Sequence, residues 1–284
     1  AIMAKRKSGE ASIPFADVRM ELMSSRDVQA YQRRSDLVVL PVGCFEMHGP
    51  LVPLGCDAFI DWAMGLLLAR QWKCLCLPPI YYTFPGASGP WPGTVDISSR
   101  ATVDYLQAVV LSLLKGGFKR VVIVGSHGPL AAMAQCVIRD VFQATGHAVL
   151  HVQPYNPVIK KMEARGVPYG EPGLVLGSMQ LLGLGGAFDP SCVADRPLEF
   201  PVPSIGALRK CQAQAPWIFS KDYQHTGMNK QLKASHADQI AEAMAEAAAE
   251  MKDLPRHFKQ YQKEMAKLYK DKPWANPKAW TRTE

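Results

Sequence analysis

The sequence lacks the features that mark membrane-spanning and disulfide-stabilised secreted proteins. No apolar run approaches the roughly 20 residues that a bilayer-spanning helix needs, so no membrane partner is expected. The seven cysteines are an odd number without paired spacing, which is typical of a reducing cytoplasm. Residues 1–12 contain no apolar core of a secretory signal and are predicted to form a flexible tail.

The positive charge is not concentrated in one place. The chain has 284 residues, of which 20% are charged, an ordinary share for a globular protein. Its formal net charge is +7, but the basic residues are spread thinly, and the densest runs coincide with no recognisable nucleic-acid motif. Nucleic acid is therefore not an expected partner, and a surface that favours anionic small molecules is predicted instead.

Strand and helix patterns alternate along the chain. The apolar runs "DLVVLPVG" and "KRVVIVG" predict buried parallel strands, and "HAVLHV" predicts a third. Helices are predicted near residues 58–71 and from Ser98/Ser99 to Gly116, where a cap and a glycine mark the two ends. This alternation indicates an α/β fold whose largely parallel sheet carries helices on both faces.

The pattern also sets the predicted domain boundaries. No internal repeat and no break in composition divides the chain. We therefore expect a single domain over residues 13–265 and an extended tail over residues 266–284.

Two polar clusters follow predicted strands. Glu46, His48 and Asp57 come after the first strand, and Ser126 and His127 come after "VVIVG". Residues two apart on an extended segment point the same way, so Glu46 and His48 can face one point. Because ligands of open α/β sheets gather beyond the carboxyl ends of the strands, the clusters are expected to converge.

The donor types of these clusters suit a divalent metal. Carboxylates and imidazoles are ligands of Zn²⁺ or Mn²⁺ and of two-metal hydrolytic sites, so one or two ions per chain are predicted. The alternative for each residue alone is structural: a histidine after a strand is commonly a hydrogen-bonded loop residue, and Asp57 before a helix fits an N-cap.

Three stretches resemble the creatininase (creatinine amidohydrolase) family. They are "LPVGCFEMHGPLVPLGCD", "GTVDISSRATVDYLQAVVLSLL" and "GGFKRVVIVGSHGPL", within a resemblance that runs from about Val18 to Leu182. The resemblance implies a three-layer α/β/α sandwich, commonly a hexamer, with metal-dependent hydrolase activity. It also implies that Glu46, Asp57 and His127 hold one metal, and that His48 and a bridging Asp57 hold part of a second.

The chain departs from the family pattern where the second metal site is completed. Pro129 stands where creatininase itself has a glutamate. The family segment with a proton-transferring histidine aligns without gaps to "EPGLVLGS", which places Glu171 at the histidine. Glu171 is accordingly the predicted catalytic residue, as a proton shuttle or as the missing ligand; the structural alternative is that it simply begins a helix.

Substrate contacts are assigned to residues near these clusters. Trp91 and Tyr82 belong to a loop rich in glycine and proline, of the kind that forms sites. They can pack a flat or cyclic substrate or merely cover the core. Ser126, beside His127, completes the predicted substrate-binding set.

The predicted function is metal-dependent hydrolysis of a small cyclic amide or related C–N bond, with creatinine itself a poor substrate. One alternative is ring opening of a cyclic keto-polyol, as in inositol catabolism, and another is an amide-forming biosynthetic relative. A non-catalytic scaffold is the remaining alternative. The chain is expected to be a cytoplasmic homo-oligomer.

Overall fold

A four-stranded parallel sheet forms the centre of the molecule. The computed structural model describes residues 13–49, 52–190, 199–219 and 232–275. All strand pairings in the sheet are parallel, and the spatial order is β2-β1-β3-β4. The strands are β1 (Leu37–Pro41), β2 (Leu75–Cys76), β3 (Arg120–Val124) and β4 (Val149–Val152).

Helices connect the strands and cover the sheet. Their bounds are α1 (Ser25–Gln32), α2 (Cys56–Trp72), α3 (Ser99–Lys115), α4 (Leu130–Thr145), α5 (Tyr155–Ala164), α6 (Glu171–Leu181), α7 (Ile205–Lys210), α8 (Ala237–Glu250) and α9 (Leu254–Asp271). Helices α2, α6 and α8 pack with one another, α5 packs against α8, and α3 packs against α4. The sheet has helices on both sides, which confirms the predicted α/β sandwich.

Burial on both faces explains why the sequences of β1 and α2 are almost entirely apolar. Every residue of β1 is buried, as expected for a parallel strand between two helical layers. Helix α2 is apolar around most of its circumference because it lies between the sheet and helices α6 and α8. The side of α6 that faces α8 is also closely packed, since a Cβ atom on Gly177 would lie 2.5 Å from Cγ2 of Ile240.

The chain beyond α8 differs from the predicted extended tail. Helix α9 continues to Asp271, so residues 266–271 are helical, which corrects the predicted boundary at residue 265. The helix ends at Lys272, which adopts a left-handed conformation with φ of 46°. Phe258 is the one buried residue of α9, so the helix lies largely at the surface. Residues 276–284 lie outside the described part of the chain, as do residues 1–12.

Among the described residues, no helix combines the length and the apolar character that a membrane crossing requires.

Candidate metal centre

The predicted ligands meet beyond the carboxyl ends of β1 and β3. Glu46 and His48 lie on the segment after β1, Asp57 lies in the first turn of α2, and His127 lies three residues after β3. All four side chains are buried, with between 1% and 6% of their surface exposed. Groups that ionise are almost never so deeply buried unless they are paired or bind a metal.

Asp57 occupies the middle of the cluster. Its Oδ1 lies 3.3 Å from Nε2 of His48, and its Oδ2 lies 2.9 Å from Nδ1 of His127. Each oxygen of one carboxylate thus faces a different imidazole. Gly55 is the N-cap of α2 and Asp57 is the second helical residue, so the alternative that Asp57 is the N-cap is wrong.

Glu46 completes one side of the cluster. Its Oε1 lies 3.1 Å from Nδ1 of His127, the nitrogen that also faces Asp57. The hydroxyl of Ser88, which is fully buried, donates a hydrogen bond to Oε2 of Glu46. Ser88 therefore fixes the orientation of this carboxylate, as outer-sphere partners of metal ligands do.

Backbone carbonyls fix the orientation of both imidazoles. Nε2 of His127 lies 2.9 Å from the carbonyl oxygen of Phe84, and Nδ1 of His48 lies 3.2 Å from the carbonyl oxygen of Glu46. A carbonyl oxygen only accepts, so these outward nitrogens carry the protons. The inward nitrogens are the ones available to a metal ion.

The electrostatics of the cluster favour cations at its centre. Burial lowers the pKa of His48, but the Asp57 carboxylate, the hydrogen bond to it and the charge of Glu171 raise that pKa to about 10. Burial likewise opposes protonation of His127, and Asp57 and Glu46 raise its pKa well above the usual range. The carboxylates thus stabilise positive charge at the centre. Divalent ions bound between the carboxylates and the neutral imidazoles would supply this charge in place of the protons.

Glu171 lies on the His48 side of the cluster. It is the first residue of α6, and its Oε2 lies 3.9 Å from Nε2 of His48. The side chain is 24% exposed and lines the cavity next to the cluster. Both interpretations of Glu171 are compatible with this position, since it begins a helix and also faces the cluster.

The structure adds residues that the sequence analysis did not consider. The thiols of Cys44 and Cys56 belong to two groups of possible ligands, one with Glu46 and His127 and one with His48 and Asp57, whose donor atoms lie within 4.8 Å of one another. Burial raises the pKa of the Cys44 thiol to about 12, so it remains neutral.

Asp61 is a second buried carboxyl group beside the centre. It is fully buried one helical turn after Asp57, and its Oδ1 accepts a hydrogen bond of 2.8 Å from the amide of Ser126. Asp61 thereby holds the residue next to His127. The spacing of four from Asp57 on one helix face is the signal that could have indicated it.

A cavity of about 780 Å³ opens beside the cluster. Its lining includes Glu46, His48, Asp57, His127 and Glu171, together with residues of the loop after β2, the start of α4 and residues 214–219. Pro129, at the position of the family glutamate, is part of this lining. A carboxylate cluster with a cavity of this size is the usual setting of a small-molecule site.

The predicted substrate-binding residues do not line this cavity. Ser126 directs its amide to Asp61, and Tyr82 is 59% exposed and lines a different groove. Trp91 supports the cavity from behind, because its Nε1 donates to the carbonyl of Phe219 at 3.1 Å.

The architecture is that of known creatininase structures. One crystal structure of creatininase superposes with a TM-score of 0.65 and 19% identity, covering 84% of this chain and 98% of that protein. A manganese form of creatininase gives a TM-score of 0.64 with 18% identity over the same shares. A zinc–zinc form of a creatininase mutant gives the same TM-score, identity and coverage. At these identities the likeness defines the fold.

The family follows from the sequence. Residues 21–252 match the sequence profile described as creatininase, or creatinine amidohydrolase. This match covers most of the chain, and the chain belongs to the creatininase family.

Curated relatives are distant and differ in activity. A 3-dehydro-scyllo-inosose hydrolase of Thermotoga maritima is 28% identical over 160 residues, which are 55% of this chain and 51% of that protein. A mycofactocin precursor peptide peptidase of Mycolicibacterium smegmatis is 31% identical over 107 residues, 36% of this chain and 43% of that protein. The creatinine amidohydrolase of Pseudomonas putida is 24% identical over 96 residues, 32% of this chain and 37% of that protein. The chain thus spans about half or less of each of these relatives.

Proposed function

We propose that this protein is a metal-dependent hydrolase that cleaves a C–N bond of a small amide other than creatinine. The observation that carries the proposal is the position of Asp57, whose two oxygens face His48 and His127 separately. A carboxylate in this position suits a bridge between two ions. Glu46, Asp57 and His127 would hold one ion, and His48, Asp57 and Glu171 the other.

The ligand types and the neighbours favour Zn²⁺ or Mn²⁺. Imidazole and carboxylate donors suit both ions. The structural neighbours include a manganese form and a zinc–zinc form of creatininase. When bound, such a pair supplies an activated water and polarises the carbonyl of the substrate.

The residues of this chain have separate tasks in the proposed reaction. The outward hydrogen bonds of His48 and His127 fix the two rings so that the inward nitrogens would bind the ions in place of protons. Glu171, partly exposed at the cavity, would complete the second site as a ligand. In a mononuclear site, its carboxylate would instead accept a proton from the attacking water and return it to the leaving nitrogen. The carbonyl carbon gains an oxygen from water, the C–N bond breaks, and the nitrogen leaves as an amine.

Two features argue against creatinine as the substrate. Glu171 replaces the family histidine, and Pro129 occupies the position of a ligand in creatininase. Ring opening of a cyclic keto-polyol is the second candidate, because the inosose hydrolase of Thermotoga maritima matches over the longest stretch of the relatives described above.

Metal content per chain tests the proposal directly. Elemental analysis of protein purified without chelator is expected to give close to two metals, falling toward one in Glu171→Gln. The matched control is Glu163→Gln, which makes the same change on an exposed residue of α5 and should keep two metals.

The other outcomes are equally informative. One metal in both the wild type and Glu171→Gln would make Glu171 a proton shuttle at a mononuclear site. Absence of metal, or full activity of Asp57→Ala, would reject the proposal and favour a non-catalytic scaffold.

The proposal includes a cytoplasmic homo-oligomer, for which the family resemblance implies a hexamer. The oligomer rests on the family resemblance, and the location on the six described cysteines, all of which are free thiols. Light scattering coupled to gel filtration tests the oligomer, and a monomeric mass would reject it.

A further inference from the structure

One wall of the cavity is formed by residues 214–219, which we call the aromatic wall. This segment follows α7 in sequence and lies more than 40 residues after Glu171. It contributes Trp217, Ile218 and Phe219 to the same cavity that the metal centre lines. No feature of the sequence places this segment at the site.

Two hydrogen bonds, one from the backbone and one from a side chain, attach the wall to the loop after β2. The amide of Phe219 donates to the carbonyl of Ala87 at 3.1 Å, and its carbonyl accepts from Nε1 of Trp91 at 3.1 Å. Phe219 is therefore held on both sides by the loop that also carries Ser88. The wall therefore has a fixed position relative to the proposed metal ligand Glu46, which accepts a hydrogen bond from Ser88.

Aromatic contacts fix the orientation of Trp217. Its ring centroid lies 4.5 Å from that of Phe219 and 5.6 Å from that of Phe200. The guanidinium of Arg209 lies 4.3 Å from the Trp217 ring centroid. An aromatic surface held in this way loses little conformational entropy when a ligand packs on it.

The described lining is apolar once the metal centre is set aside. Glu171 and the centre supply the charged groups. Among the remaining described lining residues, the amide of Gln214 and the indole N–H of Trp217 are the polar side-chain groups. The rest are glycines, prolines and alanines together with Phe84, Ile218 and Phe219. A polyhydroxylated ring bound here would lose its hydrogen bonds to water and would find few protein groups to replace them.

Accepting the proposed hydrolysis, we infer that the substrate carries an aromatic or branched apolar group beside the scissile C–N bond, and that Trp217 and Phe219 select it. The group belongs to either a substituted cyclic amide or a short peptide. Hydroxylated cyclic ketones are disfavoured, since the described wall offers them so little hydrogen bonding.

Hydroxamic acids test this inference without requiring turnover, because a hydroxamate binds the metal and presents its side group to the cavity. Calorimetry of the metal-loaded protein should show that phenylacetohydroxamic acid binds at least tenfold more tightly than acetohydroxamic acid, a difference of about 1.4 kcal/mol. Gluconohydroxamic acid, the polyhydroxylated probe, should bind no more tightly than acetohydroxamic acid.

Variants locate the preference on the wall. The ratio of the two affinities should fall to near one in Trp217→Ala and remain intermediate in Trp217→Leu, which keeps an apolar side chain. The matched control is Trp274→Ala, because Trp274 packs on Tyr269 and does not line the cavity. Circular dichroism and metal analysis confirm that each variant is folded and loaded.

Two pairs of substrates then show whether the apolar group belongs to a cyclic amide or to a peptide. A preference for 5-benzylhydantoin over hydantoin identifies a cyclic amide, and a preference for glycylphenylalanine over glycylglycine identifies a peptide.

The failures of the two proposals are distinguishable. Protein without metal would reject the proposed function. Metal-loaded protein that binds the two simple hydroxamic acids equally, binds neither, or prefers the gluconic compound would reject the inference alone.

Discussion

At the scale of single residues, the metal centre depends on side chains that hold its ligands as well as on the ligands. Asp57 faces both histidines, and backbone carbonyls fix the outward nitrogens of those histidines. Ser88 and Asp61 act one step further out, on Glu46 and on the residue beside His127. Such partners restrict each ligand to the orientation that a metal requires.

Replacing Ser88 is expected to weaken metal binding without unfolding the protein. The Ser88→Ala variant leaves Oε2 of Glu46 without its buried donor, so Glu46 loses its fixed orientation. We expect metal affinity to fall by about 10-fold to 100-fold, as is common for outer-sphere partners, measured by competition with a chromogenic chelator. Ser112→Ala, on the exposed face of α3, should leave the affinity unchanged; an equal loss there would contradict the prediction.

Asp61 gives the metal-free protein a pH dependence of known sign. Burial and the charge of Asp57 raise the pKa of Asp61 well above its usual range. The folded state therefore binds a proton that the unfolded state releases above about pH 4, and the free energy of unfolding falls as the pH rises from there.

The Asp61→Asn variant removes this titration and keeps the side-chain shape. Urea unfolding of the metal-free proteins should show the variant gaining stability relative to the wild type between pH 5 and pH 8. Asp140→Asn, an exposed change on α4, should not alter the slope. A stability difference between the two proteins that stays constant over this range would show that Asp61 is ionised in the folded state.

At the scale of elements, the centre requires the first turn of α2 to lie directly against the segment after β1. A Cβ atom on Gly43 would lie 2.3 Å from the backbone nitrogen of Ala58 and 2.4 Å from its Cα. This approach places Asp57 beside Glu46 and His48. Glycine is the residue that leaves room for it.

Gly43→Ala is expected to displace the start of α2. Overpacking of this kind costs about 1–3 kcal/mol, so the midpoint of thermal unfolding should fall and metal content should fall with it. The control is Gly206→Ala in α7, where an added Cβ would meet no atom within 4 Å. Full metal content in Gly43→Ala would show that the contact between α2 and the β1 segment does not position Asp57.

Most of the elements around the centre follow from local patterns. Strands β1 and β3 are uninterrupted apolar runs, and α3 begins at the Ser98 cap and ends beside Gly116 as its sequence predicts. The predicted boundary at residue 265 falls inside α9, a mostly polar helix whose one buried residue is Phe258. Local sequence predicts the bounds of an element best where the element is largely buried, and α9 is not.

At the scale of the whole molecule, the buried carboxylates link metal binding to folding. Ligands that bind the folded state stabilise it by mass action, by about 2.7 kcal/mol per site when the free ion is at 100 times its dissociation constant. Chelation should therefore lower the midpoint of thermal unfolding by several degrees, and returned Zn²⁺ or Mn²⁺ should restore it. Calorimetry with and without chelator checks this, and an unchanged midpoint would contradict a metal centre in the core.

The sequence by itself determined the layers of the molecule and the four ligand candidates Glu46, His48, Asp57 and His127. Parallel strands bring their carboxyl ends to one edge, so residues just after β1 and β3 had to lie near one another. The family resemblance added Glu171 through an alignment without gaps.

The tertiary structure alone decided how these residues are arranged and what surrounds them. It placed one oxygen of Asp57 toward each histidine, brought Ser88 to Glu46, and brought Trp217 and Phe219 to the cavity that the centre lines. It also bonded Trp91 to Phe219 and kept Trp91, Tyr82 and Ser126 out of the cavity lining. These arrangements depend on contacts between segments far apart in the chain, and no local pattern in the sequence encodes which distant segments meet.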